Sequence, residues 1–170
     1  MQVLSAEQIN LRSPYQVMEA SENSFAFTTQ YGICYTVGFI EDSIIQIENA
    51  YHLYITNIDG SHFRHDPLLQ QTIFIIVEEF FANNHVSMLY LCDVADNHQA
   101  ARDRLFKYWF GNHSKRALFT MITKELRFEN CDYYAGLILR NDNPRYKEIV
   151  DTFNGFIAGL PSELDAMKQQ

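Results

Sequence analysis

Cysteine is scarce in this chain. The three present, Cys34, Cys92 and Cys131, are an odd number with no C-x-x-C spacing, which excludes a disulfide framework or a zinc knuckle and fits a reducing compartment. Long apolar runs are missing too. The longest, "IFIIV" at 73–77, is far too short to cross a bilayer, and the start "MQVLSAEQINLRS" lacks the basic residues and apolar stretch of a signal peptide, so a cytoplasmic protein is expected. Positive charge is in deficit, with 13 Lys and Arg against 21 Asp and Glu, a net charge of −8 and a pI near 5.1. That balance argues against general binding to nucleic acids or anionic membranes, which needs a basic surface. No G-x-S-x-G, G-x-x-x-x-G-K-[ST] or H-E-x-x-H motif occurs, which removes the common hydrolase, nucleotide-triphosphatase and metalloprotease signatures.

What remains is apolar and aromatic. Of 170 residues 47% are hydrophobic, including 13 Phe and 10 Tyr, enough for one domain with its own core. The expected division is an N-terminal segment at 1–14, a single domain at 15–160 and a C-terminal tail at 161–170. No internal repeat or interdomain linker stands out.

The first half alternates with period two. "YQVMEA" (15–20) and "SFAFTT" (24–29) flank the polar turn "SEN", and "ICYTVGFI" (33–40) and "YHLYITNI" (51–58) continue what reads as an antiparallel meander. The connection 41–50 has no clear pattern. The period then changes. Asp66 as N-cap, Pro67 at the first position and Leu69, Ile73, Ile76, Val77 and Phe80 at spacings of three and four predict a helix ended by Asn83 and Asn84. "VSMLYLCDV" (86–94) reads as a buried strand. Asp96 with Gln99 resembles a capping box opening a second helix that Gly111 closes. A hairpin over 117–129 and 132–140, a break at "NDNP" and a final helix on Ile149, Val150, Phe153 and Ile157 complete the order ββββ-α-β-α-ββ-α, hence an α+β fold with a mostly antiparallel, mixed sheet.

This order resembles that of the N-acetyltransferase (GNAT) superfamily. The resemblance implies a strand before the second helix that splays from its neighbour to admit acetyl-coenzyme A, and an Asn-x-x-Ala motif beside the cofactor, here Asn97-His98-Gln99-Ala100. It also implies a tyrosine as general acid four residues after that alanine. Arg104 stands there instead, with Tyr108 one turn later. The superfamily's pyrophosphate loop, Arg/Gln-x-x-Gly-x-Gly/Ala, corresponds to "RHDPLL". Arg64 fits its first position, but Pro67 has no N–H to donate and Asp66 puts a carboxylate where phosphate charge would lie, which disfavours ordinary acetyl-coenzyme A binding. Across residues 15–157, and especially in "LYLCDVADNHQAARDRLFKYWF" and "YYAGLILRNDNP", the chain is also similar to a small uncharacterised bacterial family known only as a domain of unknown function, a likeness that supplies no activity.

Charge is segregated. Residues 97–116 carry five cations, Arg102, Arg104, Lys107, Lys115 and Arg116, against Asp103, leaving eight cations and twenty acids elsewhere. A helix start bearing Arg102 offers N–H groups and charge to a phosphate, a carboxylate or an acidic protein surface. The plainer reading is a solvated helix whose cations pair with acids of the same chain. Trp109 and Phe110 read as core anchors in a stripe with Ala101 and Leu105. His62, His65 and Asp66 share a loop, but their spacing is weak for a metal site and none is expected. Cys92 near Asp93 and Asp96 reads as structural, because neighbouring carboxylates suppress the thiolate.

These observations favour a binding or regulatory module over an enzyme, with no cofactor. The basic helix 96–116 would recognise a small anionic ligand or an acidic protein through His98, Arg102, Arg104 and Lys107. One alternative is an acyl-coenzyme A-dependent N-acyltransferase with a rewired loop, in which Asn97 positions coenzyme A, Tyr108 is the acid and Arg64 meets the cofactor. Another is an immunity or inhibitor protein whose acidic surface covers a basic partner. The meander's edge strand offers a pairing site for a homodimer.

Overall fold

Residues 4–57, 66–92, 99–128 and 131–160 are described by the structure, a computed structural model. The alternating first half forms the meander expected: β1 (Met18–Ser21), β2 (Ser24–Thr28), β3 (Cys34–Glu41) and β4 (Ala50–Asn57), each antiparallel to the next. Asn23, at φ 56°, turns β1 into β2. The unpatterned connection is organised by Asp42, whose carboxylate accepts the backbone N–H groups of Ile44, Ile45 and Gln46 and faces His52 Nε2 at 2.9 Å. Such side-chain acceptance is how a short acid replaces a regular ladder.

α2 (Pro67–Phe80) begins as predicted, with the Asp66 side chain accepting from Leu68 N–H at 3.0 Å. Its stripe Leu69, Ile73, Ile76 and Phe80 is buried. β5 (Ser87–Leu91) then pairs parallel to β4, α3 (Gln99–Asn112) follows, and a short 3-10 turn at Arg116–Leu118 leads into β6 (Phe119–Phe128) and β7 (Cys131–Arg140). α4 (Tyr146–Gly159) ends the described chain. The seven strands lie in the order β1-β2-β3-β4-β5-β7-β6, with β5·β7 and β7·β6 antiparallel. The fold is α+β with the element order expected. One addition is α1 (Ala6–Asn10) in the N-terminal segment, capped by Ser5.

Two hydrophobic clusters fill the two faces of this sheet. On one face Phe25, Phe27, Tyr35, Val37, Phe39, Met88, Tyr90 and Ile138 pack with Ile9 of α1 and the α2 stripe. On the other, Leu89, Leu137 and Leu139 meet Ile149 and Phe153 of α4. β5 and β7 are therefore apolar at successive positions because both of their faces are covered.

Two details of α3 differ from expectation. Gly111 lies within the last turn rather than beyond the end, and the carbonyls there are met by side chains: Asn112 Nδ2 donates to Tyr108 O at 2.7 Å and Arg116 Nη1 to Gly111 O at 2.8 Å. The inward stripe is also displaced. Ala101 is exposed and Leu105 half-buried, while Gln99 and Asp103 are buried with Phe106 and Phe110 beside them. Polar residues can face inward because the sheet offers partners there: Gln99 Nε2 donates to Asp132 O at 3.1 Å, and the Tyr90 hydroxyl donates to Asp103 Oδ1 at 3.1 Å. Trp109 and Phe110 pack against the main core as anchors, Trp109 edge-to-face on Phe74 with ring centres 6.2 Å apart.

Candidate functional site

α3 carries its charge on three sides, and the pairing differs from side to side. Lys107 Nζ lies 2.6 Å from Asp103 Oδ2, one turn earlier, so the buried acid neutralises part of the helix's own charge. Beyond the helix, Lys115 Nζ reaches Glu78 Oε2 on α2 at 2.7 Å. Arg104 and Tyr108 face solvent, Tyr108 with 65% of its surface exposed. At 100° per residue Arg104, Lys107 and Tyr108 share the outer face, whereas Arg102, also exposed, lies about 140° around the helix from Lys107. Asn97, His98, Asp96 and the loop with Arg64, His62 and His65 lie outside the described residues.

The flank of α3 that bears Lys107 overlooks β6, the last strand of the sheet. Between them opens a groove of about 510 Å³ lined by Lys107, Phe110, Gly111, Arg116, Met121 and Thr123, with Ala117 at its end. Its two charged residues are both cations. Gly111 keeps the helix side low, and Met121 and Thr123 project from β6 two residues apart, as same-face positions of a strand must. Among the described residues β6 is the end strand of the sheet, paired with β7 over its ten residues.

At the other flank, Cys92 is buried just after β5. Burial pushes its thiol up to about 11, with the Asp103 charge adding to the rise and Arg102 and Lys107 opposing it. A thiol so held is not a nucleophile at neutral pH, in line with the structural role expected for it. Burial, then the neighbouring Asp103 carboxylate, likewise raises Tyr90 far above the phenol range, so that hydroxyl stays a hydrogen-bond donor.

A third arrangement concerns the start of α2. Asp66 is buried, and besides Leu68 N–H its carboxylate accepts a hydrogen bond from the Tyr15 hydroxyl at 2.7 Å. Tyr15 in turn accepts from Gln30 N–H. The helix N-terminus is thus occupied by the chain's own anion. Nearby, β4 and β5 pair at only three positions, Ala50–Ser87, Tyr51–Met88 and His52–Leu89, before β4 continues without β5 to Asn57.

Sequence reading named the basic helix but missed Arg116 as a groove wall, Asp103 as a buried anchor and Glu78 as the acid that gathers Lys115. The Asp103–Lys107 spacing of four was a legible signal. Nothing in the local pattern ties Glu78 to residue 115. Among the described residues no group of three His, Cys, Asp or Glu side chains is placed to hold a metal, and no helix is long and apolar enough to cross a membrane.

The chain belongs to the family of unknown function DUF6169, whose sequence model matches residues 65–155, a span that takes in α2, α3, β6 and the groove between them. No curated protein and no solved structure matches it.

Proposed function

We propose that this member of DUF6169 is a binding module whose working surface is the groove between α3 and β6, and that its ligand is an extended acidic segment of a partner protein. The observation that carries this reading is that both charged residues of the groove, Lys107 and Arg116, are cations on an otherwise acidic chain, over a floor of Phe110 and Met121. Arg104 stands on the adjoining outer face. An extended segment alternating acidic and apolar side chains would place carboxylates against Lys107 and Arg116, and its backbone could follow the outer edge of β6. Lys107 keeps a partner in Asp103, so its gain from a ligand carboxylate is modest and the apolar floor must contribute the rest.

The test is fluorescence anisotropy with a labelled octapeptide of alternating Glu and Val. Lys107→Ala with Arg116→Ala is expected to weaken binding about tenfold, roughly 1.4 kcal/mol, and added salt to weaken the wild type more than the double variant. Arg102→Ala, on the opposite flank, should leave binding unchanged. Equal affinities for all three proteins would remove the groove as the site.

One observation favours a second reading, the acyl-coenzyme A-dependent N-acyltransferase: β4 and β5 part after three paired positions, the kind of opening that a resemblance to acetyltransferases implies. Two others weigh against it. Asp66 with Tyr15 already fills the start of α2, and Tyr108, the proposed acid, points to solvent on the outer face of α3. A thermal-shift titration with coenzyme A is expected to give no stabilisation; a saturable rise in Tm would restore the transferase.

A further inference from the structure

The turn that carries Lys115 and Arg116 from α3 to β6 is built on one histidine ring. His113, the first residue after α3, keeps only 14% of its side chain exposed. Its Nε2 lies 3.0 Å from Glu78 Oε1, and its Nδ1 accepts the backbone N–H of Lys115 at 3.3 Å. A carboxylate only accepts and a backbone N–H only donates, so these two partners assign the ring as the neutral tautomer with its proton on Nε2. Arg116 N–H closes the same turn on His113 O at 3.1 Å, and Arg116 Nη1 returns to Gly111 O at the groove wall. The ring is hemmed in. It packs on Phe74 with ring centres 4.7 Å apart, and its inner side borders a cavity of about 40 Å³ between α2, α3 and the sheet. Apart from Glu78 and His113 themselves, that cavity is lined by apolar and aromatic side chains, Phe74, Phe106 and Trp109 among them, which offer a charged ring no acceptor.

Among the described residues, the charged groups that face His113 are Glu78 on α2, Lys115 on the turn and, through Glu78, Arg12 of the segment after α1, which also reaches Glu79 at 3.4 Å. Protonation sets these contacts against one another. The second proton can go only to Nδ1, where it meets the Lys115 N–H head-on, and that amide loses its acceptor. Glu78 at the same time gains a third cation beside Arg12 and Lys115, and Lys115, with 51% of its side chain exposed against 42% for Arg12, costs least to release into water. Glu78 stays ionised meanwhile, because burial, which would raise its carboxyl, is outweighed by the hydrogen bonds from Lys115 and Arg12. We propose that His113 is a pH-sensitive latch on this turn. Neutral, it holds residues 113–116 closed and Arg116 at the groove wall; protonated, it keeps Glu78, releases Lys115 and opens the turn. The consequence for the groove rests on the reading of that groove as the site of an acidic segment, whereas the latch itself does not.

The test is NMR on the isotope-labelled full chain between about pH 7.5 and about pH 5.5, the range in which a histidine ordinarily changes charge. At the upper end the His113 ring is expected to show the Nε2–H tautomer, and on acidification the Lys115 amide resonance should move with the titration of the ring. His113→Asn keeps an acceptor for the amide two residues on, as an Asx turn does, and takes no proton, so its Lys115 amide should stay in place. A ring with its proton on Nδ1 at the upper pH, a ring that does not titrate in the range, or a Lys115 amide that ignores the titration would overturn the latch, and all three are read on the wild type alone. In parallel, affinity for the Glu and Val octapeptide should fall severalfold over the same range in the wild type and hold in His113→Asn. An equal fall in both would sever the latch from the groove. Absence of peptide binding at either pH would remove the groove reading, and the resonances of His113 and Lys115 would still decide the latch.

Discussion

Gly136 and Gly38 each stand opposite a tyrosine across the sheet. Gly136 is paired with Tyr90, and a Cβ there would lie 2.0 Å from Tyr90 Cε1; Gly38 is paired with Tyr54, and its Cβ would lie 2.4 Å from the Tyr54 hydroxyl. Glycine weakens a strand interior, so its presence marks a space that something else fills. At Gly136 the filler does more than pack: Tyr90 stacks on Phe106 with ring centres 4.9 Å apart and holds Asp103, which in turn holds Lys107. Gly136→Ala must therefore push Tyr90 off α3. It is expected to lose about 2 kcal/mol in urea unfolding, while Gly38→Ala costs less because the Tyr54 ring is half-buried and moving it gives up one hydrogen bond, to Ser24 Oγ at 2.9 Å, and no contact with α3. Equal and negligible losses would mean that Tyr90 has another rotamer available.

At the scale of elements, Glu78 on α2 gathers two stretches that lie far from it in sequence, one at residue 12 and one at residues 113–115. Its carboxylate on α2 receives Arg12 from the segment after α1, His113 after α3 and Lys115 just before the 3-10 turn. Burial works to raise this carboxyl, but the hydrogen bonds from Lys115 and Arg12 and the nearby charges outweigh it and hold it below the ordinary 4.5. An acid whose folded value is depressed contributes stability above its unfolded value and loses it as pH falls through the folded one. Glu78→Gln should therefore be less stable than the wild type at pH 7 by about 1 kcal/mol, a figure that allows for the solvent reaching Arg12 and Lys115. Urea midpoints measured from pH 7 downward should hold that gap to about pH 4.5 and converge below it. A gap independent of pH would assign the loss to packing rather than charge.

For the molecule as a whole, the N-terminal residues are part of the core that the sheet and α2 build. Ile9 is fully buried and Leu4 nearly so, and Asn10 copies a strand partner by donating to Val17 O and accepting from Val17 N–H, both at 2.8 Å. Deleting residues 1–13 removes both apolar side chains, that pair and Arg12. A loss of 3 kcal/mol or more is expected from the exposed core alone, measured as a lowered urea midpoint; an unchanged midpoint would make α1 an ornament. Sequence marks 1–14 as a separate N-terminal segment but not as a helix, because one turn with a single buried face leaves no period to detect.

Much else was legible. Alternation at 24–57, the Asp66-Pro67 start of α2, and the stripes of α2 and α4 are local signals, set by the geometry of one strand or one helix, and they carried the element order without reference to the rest of the chain. Segregated charge likewise pointed to 97–116. What the order of residues could not convey is which charges meet. Lys107 and Arg116 share a groove because α3 packs over β7 and leaves β6 at the edge, and Arg102 is turned away because five residues rotate a helix by more than a full turn. The inward Asp103 and Gln99 break the apolar stripe for a reason that lies on other strands, at Tyr90 and at Asp132 O. Sequence by itself determined the elements and their order, since those follow from near neighbours. Tertiary structure alone decided the groove, the cavity and the Glu78 cluster, since each is made of residues brought together from elements far apart in the chain.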